Sequence, residues 1–125
     1  MKAGPARRLN QVGRLNQVGR LNQVVLSGRL LELGALRYTP AGVAALEFKL
    51  SHESEQGEAG GRRKVQAEIG AIAFETQARL IAARPLGTEL RVQGFLGAKS
   101  RRSKKLTLHV TNIEFAEGAG NASTA

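Results

Sequence analysis

Five cations fall in seven positions at Lys99-Ser-Arg-Arg-Ser-Lys-Lys105, and no acid interrupts them. One ligand class rewards them all at once, a polyanion. Its phosphates accept point charges from Lys99, Lys104 and Lys105 and forked hydrogen bonds from Arg101 and Arg102. Two shorter runs offer related chemistry. Arg62-Arg-Lys64 opens a segment of alternating character, and Arg37-Tyr38 sets a cation beside the only tyrosine, a face on which a base can stack. The plain alternative for each run is a solvated turn or strand end.

Other chemistries find little support. There is no cysteine, so disulfides, thiolate metal sites and cysteine nucleophiles are all excluded. His52 and His109 stand alone, without the spacing of a metal site. No glycine-rich phosphate loop precedes a helix, and no serine–histidine or paired-carboxylate motif is present. A non-enzymatic protein with no metal and no cofactor is expected. No apolar run approaches the roughly 20 residues that cross a bilayer. The charged N-terminus is not followed by the apolar core of a secretory signal. A soluble cytoplasmic protein, with no membrane contact, is the expectation.

The net charge of +9 over 125 residues is unevenly placed. Residues 1–24 hold five cations (Lys2, Arg7, Arg8, Arg14 and Arg20) and no acid, while residues 25–115 hold 14 cations against nine acids. The segment richest in strand patterns is therefore basic in its own right, which bears on partners rather than on fold.

The elements that must hold these cations are strands. A perfect repeat, Arg-Leu-Asn-Gln-Val, occurs at 8–12, 14–18 and 20–24, with one glycine between copies. Only the last copy runs into a strand pattern, so residues 1–19 are expected to be a disordered basic segment. Asn22–Leu33 places Val24, Leu26 and Leu30 on one parity. Thr39-Pro-Ala-Gly42 reads as a turn. In Val43–Ser51, Leu46, Phe48 and Leu50 face in and Glu47, Lys49 and Ser51 face out. His52–Gly61 reads as a polar loop, and Arg62–Ile69 as a third strand with Val65, Ala67 and Ile69 inward.

Ala71–Ala83 has helical spacing, with Phe74, Ala78 and Ile81 on one face and Arg84-Pro85 ending it. Phe48, Phe74 and Phe115 are expected in the core. Leu90, Val92 and Leu96 mark a fourth strand; Phe95, on the opposite parity from Val92, reads as a surface platform, a dimer contact or, given a bulge, a core residue. Leu106, Leu108 and Val110 open a fifth, whose change of parity by Ile113 and Phe115 predicts a bulge near Thr111-Asn112. Residues 118–125 are small and polar and are expected to form a disordered tail. Five strands with a short helical link between strands 3 and 4 is the order of an all-β OB-fold barrel, expected over residues 20–117. In that fold the loops after strands 1 and 4 flank the ligand groove, and the in-strand glycines Gly28 and Gly94 would mark barrel corners.

With this pattern in view, Asn22-Gln-Val-Val-Leu-Ser-Gly-Arg-Leu30, Leu36-Arg-Tyr-Thr-Pro-Ala-Gly42 and Arg91-Val-Gln-Gly-Phe-Leu96 resemble the single-stranded-DNA-binding protein family. Val25-Leu-Ser-Gly28, Glu58-Ala-Gly60, Val92-Gln-Gly-Phe95 and Leu108-His109 are similar to its short relatives, the primosomal replication protein N (PriB) family. The likeness covers about Asn22 to Glu117. It implies single-stranded DNA binding in replication restart, as a homodimer that contacts the primosomal helicase PriA and the loader DnaT. The chain lacks the long linker and acidic tip of the general single-strand binders, and has no tryptophan. Gly61 and Gln66 stand where such relatives carry aromatics, which shifts the expected binding toward phosphates. An OB-fold adaptor for proteins, or an RNA-binding OB domain, are the alternatives.

Overall fold

In the computed structural model, residues 20–116 are described. The repeat copies at 8–12 and 14–18, Glu117 and the tail 118–125 lie outside the described residues. The strands are β1 (Val24–Leu33), β2 (Arg37–Tyr38), β3 (Ala44–Glu58), β4 (Gly61–Phe74), β5 (Glu89–Ala98) and β6 (Leu106–Phe115), with one helix, α1 (Glu75–Ala82), between β4 and β5.

Five of the strands close a barrel. The order is β1-β5-β6-β4-β3, and β1 pairs again with β3. β1 achieves this by dividing its length. Val24–Arg29 runs antiparallel to β5, and Arg29–Leu33 runs antiparallel to β3. Gly28 sits where the two pairings meet, and a Cβ there would lie 2.8 Å from the Ser51 carbonyl oxygen. The only parallel seam among the described strands joins Ala71–Ala73 of β4 to Leu108–Val110 of β6. β2 is a two-residue addition outside β3, formed because the Thr39–Gly42 turn folds Arg37 and Tyr38 back onto Ala45 and Ala44.

The expected alternation fills the interior. Leu30, Leu46, Leu50, Ile81, Val92 and Leu108 are the largest fully buried side chains, and Phe48 joins them at 5% exposure. Burying a side chain of this size contributes roughly 1.5–3 kcal/mol, so these residues form the main stabilising cluster. Ala78 and Ile81 put the apolar face of α1 against the same cluster. The expected bulge is present: Gln93 pairs with Asn112 and Gly94 with Val110, leaving Thr111 over. That extra residue turns Ile113 and Phe115 toward the core.

Three expectations need correction. His52–Gly61 is not a loop. β3 continues to Glu58, turns through Ala59 and Gly60, and returns from Gly61 in unbroken register. Both turn residues have positive φ, 53° and 80°, the handedness that matches strand twist in a two-residue hairpin. The strand character was hidden because this arm projects beyond the barrel and is polar on both faces. Second, helix begins at Glu75, not Ala71; Ala71–Ala73 are claimed by the parallel seam with β6. Third, Phe74 therefore ends a strand rather than lying on a helix face, and it is 40% exposed instead of core.

Candidate nucleic-acid interface

The basic run Lys99–Lys105 is the β5–β6 connection. Its ends are tied by the Lys99 amide donating to the Lys105 carbonyl at 2.8 Å. Its interior is held by the two serines. The Ser103 amide donates to Ser100 Oγ at 3.1 Å, and the Lys105 amide donates to Ser103 Oγ at 3.3 Å. The serines satisfy the turn, so the cations have no structural task within it. Arg101, Arg102, Lys104 and Lys105 are exposed, and no described acid lies within 4.0 Å of any of them.

Beside this loop runs a groove of about 300 Å³ on the outer face of β3 and β4, bordered by Glu32, Glu47, Lys49, Ile72, Lys99 and Lys105. Alternation along β3 sends Glu47 and Lys49 outward while Leu46, Phe48 and Leu50 fill the core. Ile72 is the cross-strand partner of Glu47 and provides a buried apolar floor. Glu47 stands between the two flanking loops. Its Oε2 accepts from Arg37 Nη2 at 3.0 Å, and its Oε1 lies 3.3 Å from Lys99 Nζ. Partial burial pushes its carboxyl upward, but the hydrogen bonds and charges of Lys99 and Arg37 outweigh that and hold it below the usual carboxylate range. Lys49 leans toward Glu32 at 3.8 Å.

Arg37 and Tyr38 part company. Arg37, Ala45 and Phe74 lie opposite one another across β2, β3 and β4, and so share the outer face with Glu47. Tyr38 points to the other side of β2 and is 61% exposed at the barrel rim.

The other basic run lies on the hairpin arm. Arg62 and Lys64 take its outer face and Arg63 the opposite one. Arg62 pairs with Glu55 at 2.9 Å and Arg63 with Glu58 at 2.8 Å, while Gln66 donates to Glu53 at 3.2 Å. Lys64 has no described acid within 4.0 Å, although Glu55 is its strand partner. The arm is nearly neutral by internal pairing. Gly61 and Gln66 leave it without an aromatic.

A larger concavity, about 1010 Å³, opens near the β1 bend and the end of β6. Its two arginines are paired, Arg29 with Glu89 at 2.7 Å and Arg91 with Glu114, and Glu53 adds further negative charge. It suits a polyanion poorly despite its size. Electrostatics therefore separates the cation clusters. Arg101, Arg102, Lys104 and Lys105 of the β5–β6 loop meet no described acid, Arg37 and Lys99 share one carboxylate, and Arg62 and Arg63 are neutralised. Two residues of the outer face are not marked by the sequence. Alternation put Glu47 outside but gave no sign that two distant cations converge on it, and helical spacing disguised Phe74.

Comparison with known proteins gives a consistent result. A family model described as another single-strand binding protein family matches residues 22–112. The replication restart protein PriB of Bordetella pertussis is 53% identical over 85 residues, 68% of this chain and 79% of that protein. The replication restart protein PriB of Nitrosomonas europaea is 45% identical over 86 residues, 69% of this chain and 80% of that one. Among solved structures, PriB from Ralstonia solanacearum superposes with a TM-score of 0.71 at 31% identity, covering 78% of this chain and all of that one.

Proposed function

Because this chain belongs to the single-strand binding protein family, among the replication restart proteins of PriB type, we propose that it binds single-stranded DNA along the outer groove of β3 and β4 during replication restart. The observation that carries the placement is the exposed loop with four cations unpartnered by any described acid, Arg101, Arg102, Lys104 and Lys105, bordering an apolar-floored groove. Lys99 and Arg37 extend the basic track across the groove once Glu47 releases them. Lys64 adds one more charge from the arm, and Arg62 and Arg63 contribute only if their pairs open. Phe74 on the outer face and Tyr38 at the rim offer stacking surfaces. No step of this function requires a reaction, a metal or a cofactor.

The protein works in the cytoplasm as a homodimer. The outer face of β1, β5 and β6 supports this reading: Val25 is 53% exposed, and Phe95, 42% exposed, stacks flat on His109 at 5.0 Å. The family resemblance supports contacts with PriA and DnaT, bridging the single strand to the restart helicase and loader. Among the described residues no helix is long and apolar enough to cross a membrane.

Titration of a labelled oligothymidine at several salt concentrations tests the placement. Roughly four to six phosphate contacts, the upper figure including Arg37 and Lys99, at about 0.7 per phosphate predict a log–log slope near −3 to −4 for a single strand. Replacing Arg101, Arg102, Lys104 and Lys105 with glutamine should remove most of that slope and most of the affinity. If the neutralised loop binds as tightly as wild type, the groove is not the site and a protein adaptor becomes the better reading. RNA binding as tight as DNA would make this an RNA-binding OB domain instead.

A further inference from the structure

We propose that Glu47 is a resident competitor for the DNA backbone, a specificity-determining carboxylate that holds Arg37 and Lys99 until a polymer of phosphates displaces it. The inference rests on the groove assignment above and adds a residue that works against binding. Each carboxylate oxygen of Glu47 engages one cation, Arg37 at 3.0 Å and Lys99 at 3.3 Å. Those two cations come from the two loops that flank the groove, so the carboxylate ties the loops together across β3. A phosphodiester approaching either cation meets a full negative charge already in place.

The surroundings fix the carboxylate in that role. Its strand partner across β4 is Ile72, which offers no hydrogen-bond donor. The next outward residue along β3, Lys49, leans on Glu32 instead. Glu47 therefore has Arg37 and Lys99 as its only described cations within 4.0 Å. The four cations unpartnered by any described acid, beyond Lys99 on the same loop, carry no such tax. A long single strand can anchor on them first and then exchange its next phosphates for Glu47. A nucleotide or very short strand has no such foothold. The arrangement selects polymer over monomer, and it does so with one side chain.

Glu47→Gln keeps the shape and removes the charge. Two exposed ion pairs of ordinary strength predict that this variant binds an oligothymidine of about 20 nucleotides roughly three- to tenfold more tightly near physiological salt. Because a long strand displaces Glu47 in the wild type as well, both proteins neutralise the same phosphates, so the log–log salt slope should change by less than the roughly 0.7 of a single contact. The relative gain should be greater for an oligothymidine of about 4 nucleotides, near the lower end of OB-fold site sizes. Combining Glu47→Gln with Arg37→Gln and Lys99→Gln should abolish the gain, because no captive cations remain to be released. Circular dichroism and melting establish that each variant is folded. Weaker binding by Glu47→Gln, or a shallower slope, would mean that the carboxylate orients the two cations for DNA, and the proposal is overturned. Unchanged affinity overturns it as well. Those results leave the groove standing so long as the loop-neutralised variant has lost binding; a wild type that does not bind oligothymidine overturns both readings.

Discussion

The carboxamide of Asn22 and the main chain of Leu96, 74 residues apart, bond to each other twice: Nδ2 donates to the Leu96 carbonyl at 2.8 Å, and the Leu96 amide donates to Oδ1 at 2.9 Å. A side chain thus imitates one more backbone rung beyond the last β1–β5 pair, Val24 with Gly94. Asn22 belongs to the third copy of the N-terminal repeat. The repeat enters the barrel by this residue.

Asn22→Ala should cost about 1 kcal/mol, the ordinary net value of a hydrogen bond or slightly more. Thermal melting should fall by about 4–8 °C for a domain of this size. Removing residues 1–19 should leave the melting temperature nearly unchanged, since the clamp and all of β1 remain. A truncated chain that melts much earlier would show that the first two repeats pack against the barrel.

Gly94→Ala should be among the most damaging single-methyl changes in the chain. Its Cβ would lie 1.9 Å from the His109 carbonyl oxygen, beside the bulge at Thr111. Relief requires backbone movement in β6, so a loss of about 3 kcal/mol is expected. Gly70→Ala is the control: it also lies in a barrel strand, but a Cβ there meets nothing within 4 Å. Chemical denaturation of the two variants should separate them by nearly that full amount.

Phe74→Ala and Tyr38→Ala should each weaken oligothymidine binding and leave the salt slope unchanged, because stacking releases no counterions. Loss of one stacked base amounts to about 1–3 kcal/mol. Phe74 shares the rung with Arg37 and should give the larger loss. Fluorescence titrations at two salt concentrations read both quantities. A shallower slope in either variant would show that the ring acts by positioning a cation.

Sedimentation at micromolar concentration should give about twice the chain mass of 13.3 kDa. Phe95→Glu should shift the distribution toward monomer, since it sets a charge on the exposed ring position that stacks on His109. A wild-type monomer would remove the dimer from the functional reading.

Barrel strands were legible in the sequence wherever one face had to be apolar. Leu46, Phe48 and Leu50 fixed β3 by alternation, and the parity change before Ile113 located the bulge at Thr111. Legibility ended where burial ended. The outgoing half of the arm, Glu53 to Glu58, keeps its register through backbone bonds and ion pairs such as Arg62–Glu55, which leave no hydrophobic period to detect. Ala71-Ile-Ala73 could be read either way, because both faces of β4 are covered there and three apolar residues in a row fit helix and buried strand alike. The β5–β6 loop was visible as a charge run. Its contrast with Arg62 and Arg63 was not, since ion pairing depends on which strands lie side by side.

The divided pairing of β1 also constrains how the molecule comes into being. β1 leaves the ribosome before the other strands, yet half of its hydrogen-bonding edge belongs to β5, which is made only after β2, β3, β4 and α1. The β3–β4 hairpin and α1 can form from local contacts as they emerge, but the barrel cannot close around them until Gly94 exists to meet Val24. Such long-range closure is slow relative to hairpin or helix formation. Throughout synthesis the nascent chain carries an open strand edge, a template for pairing with other chains. A chain cut short anywhere before β5 is left with that edge permanently open, and it should aggregate rather than persist as a smaller folded domain.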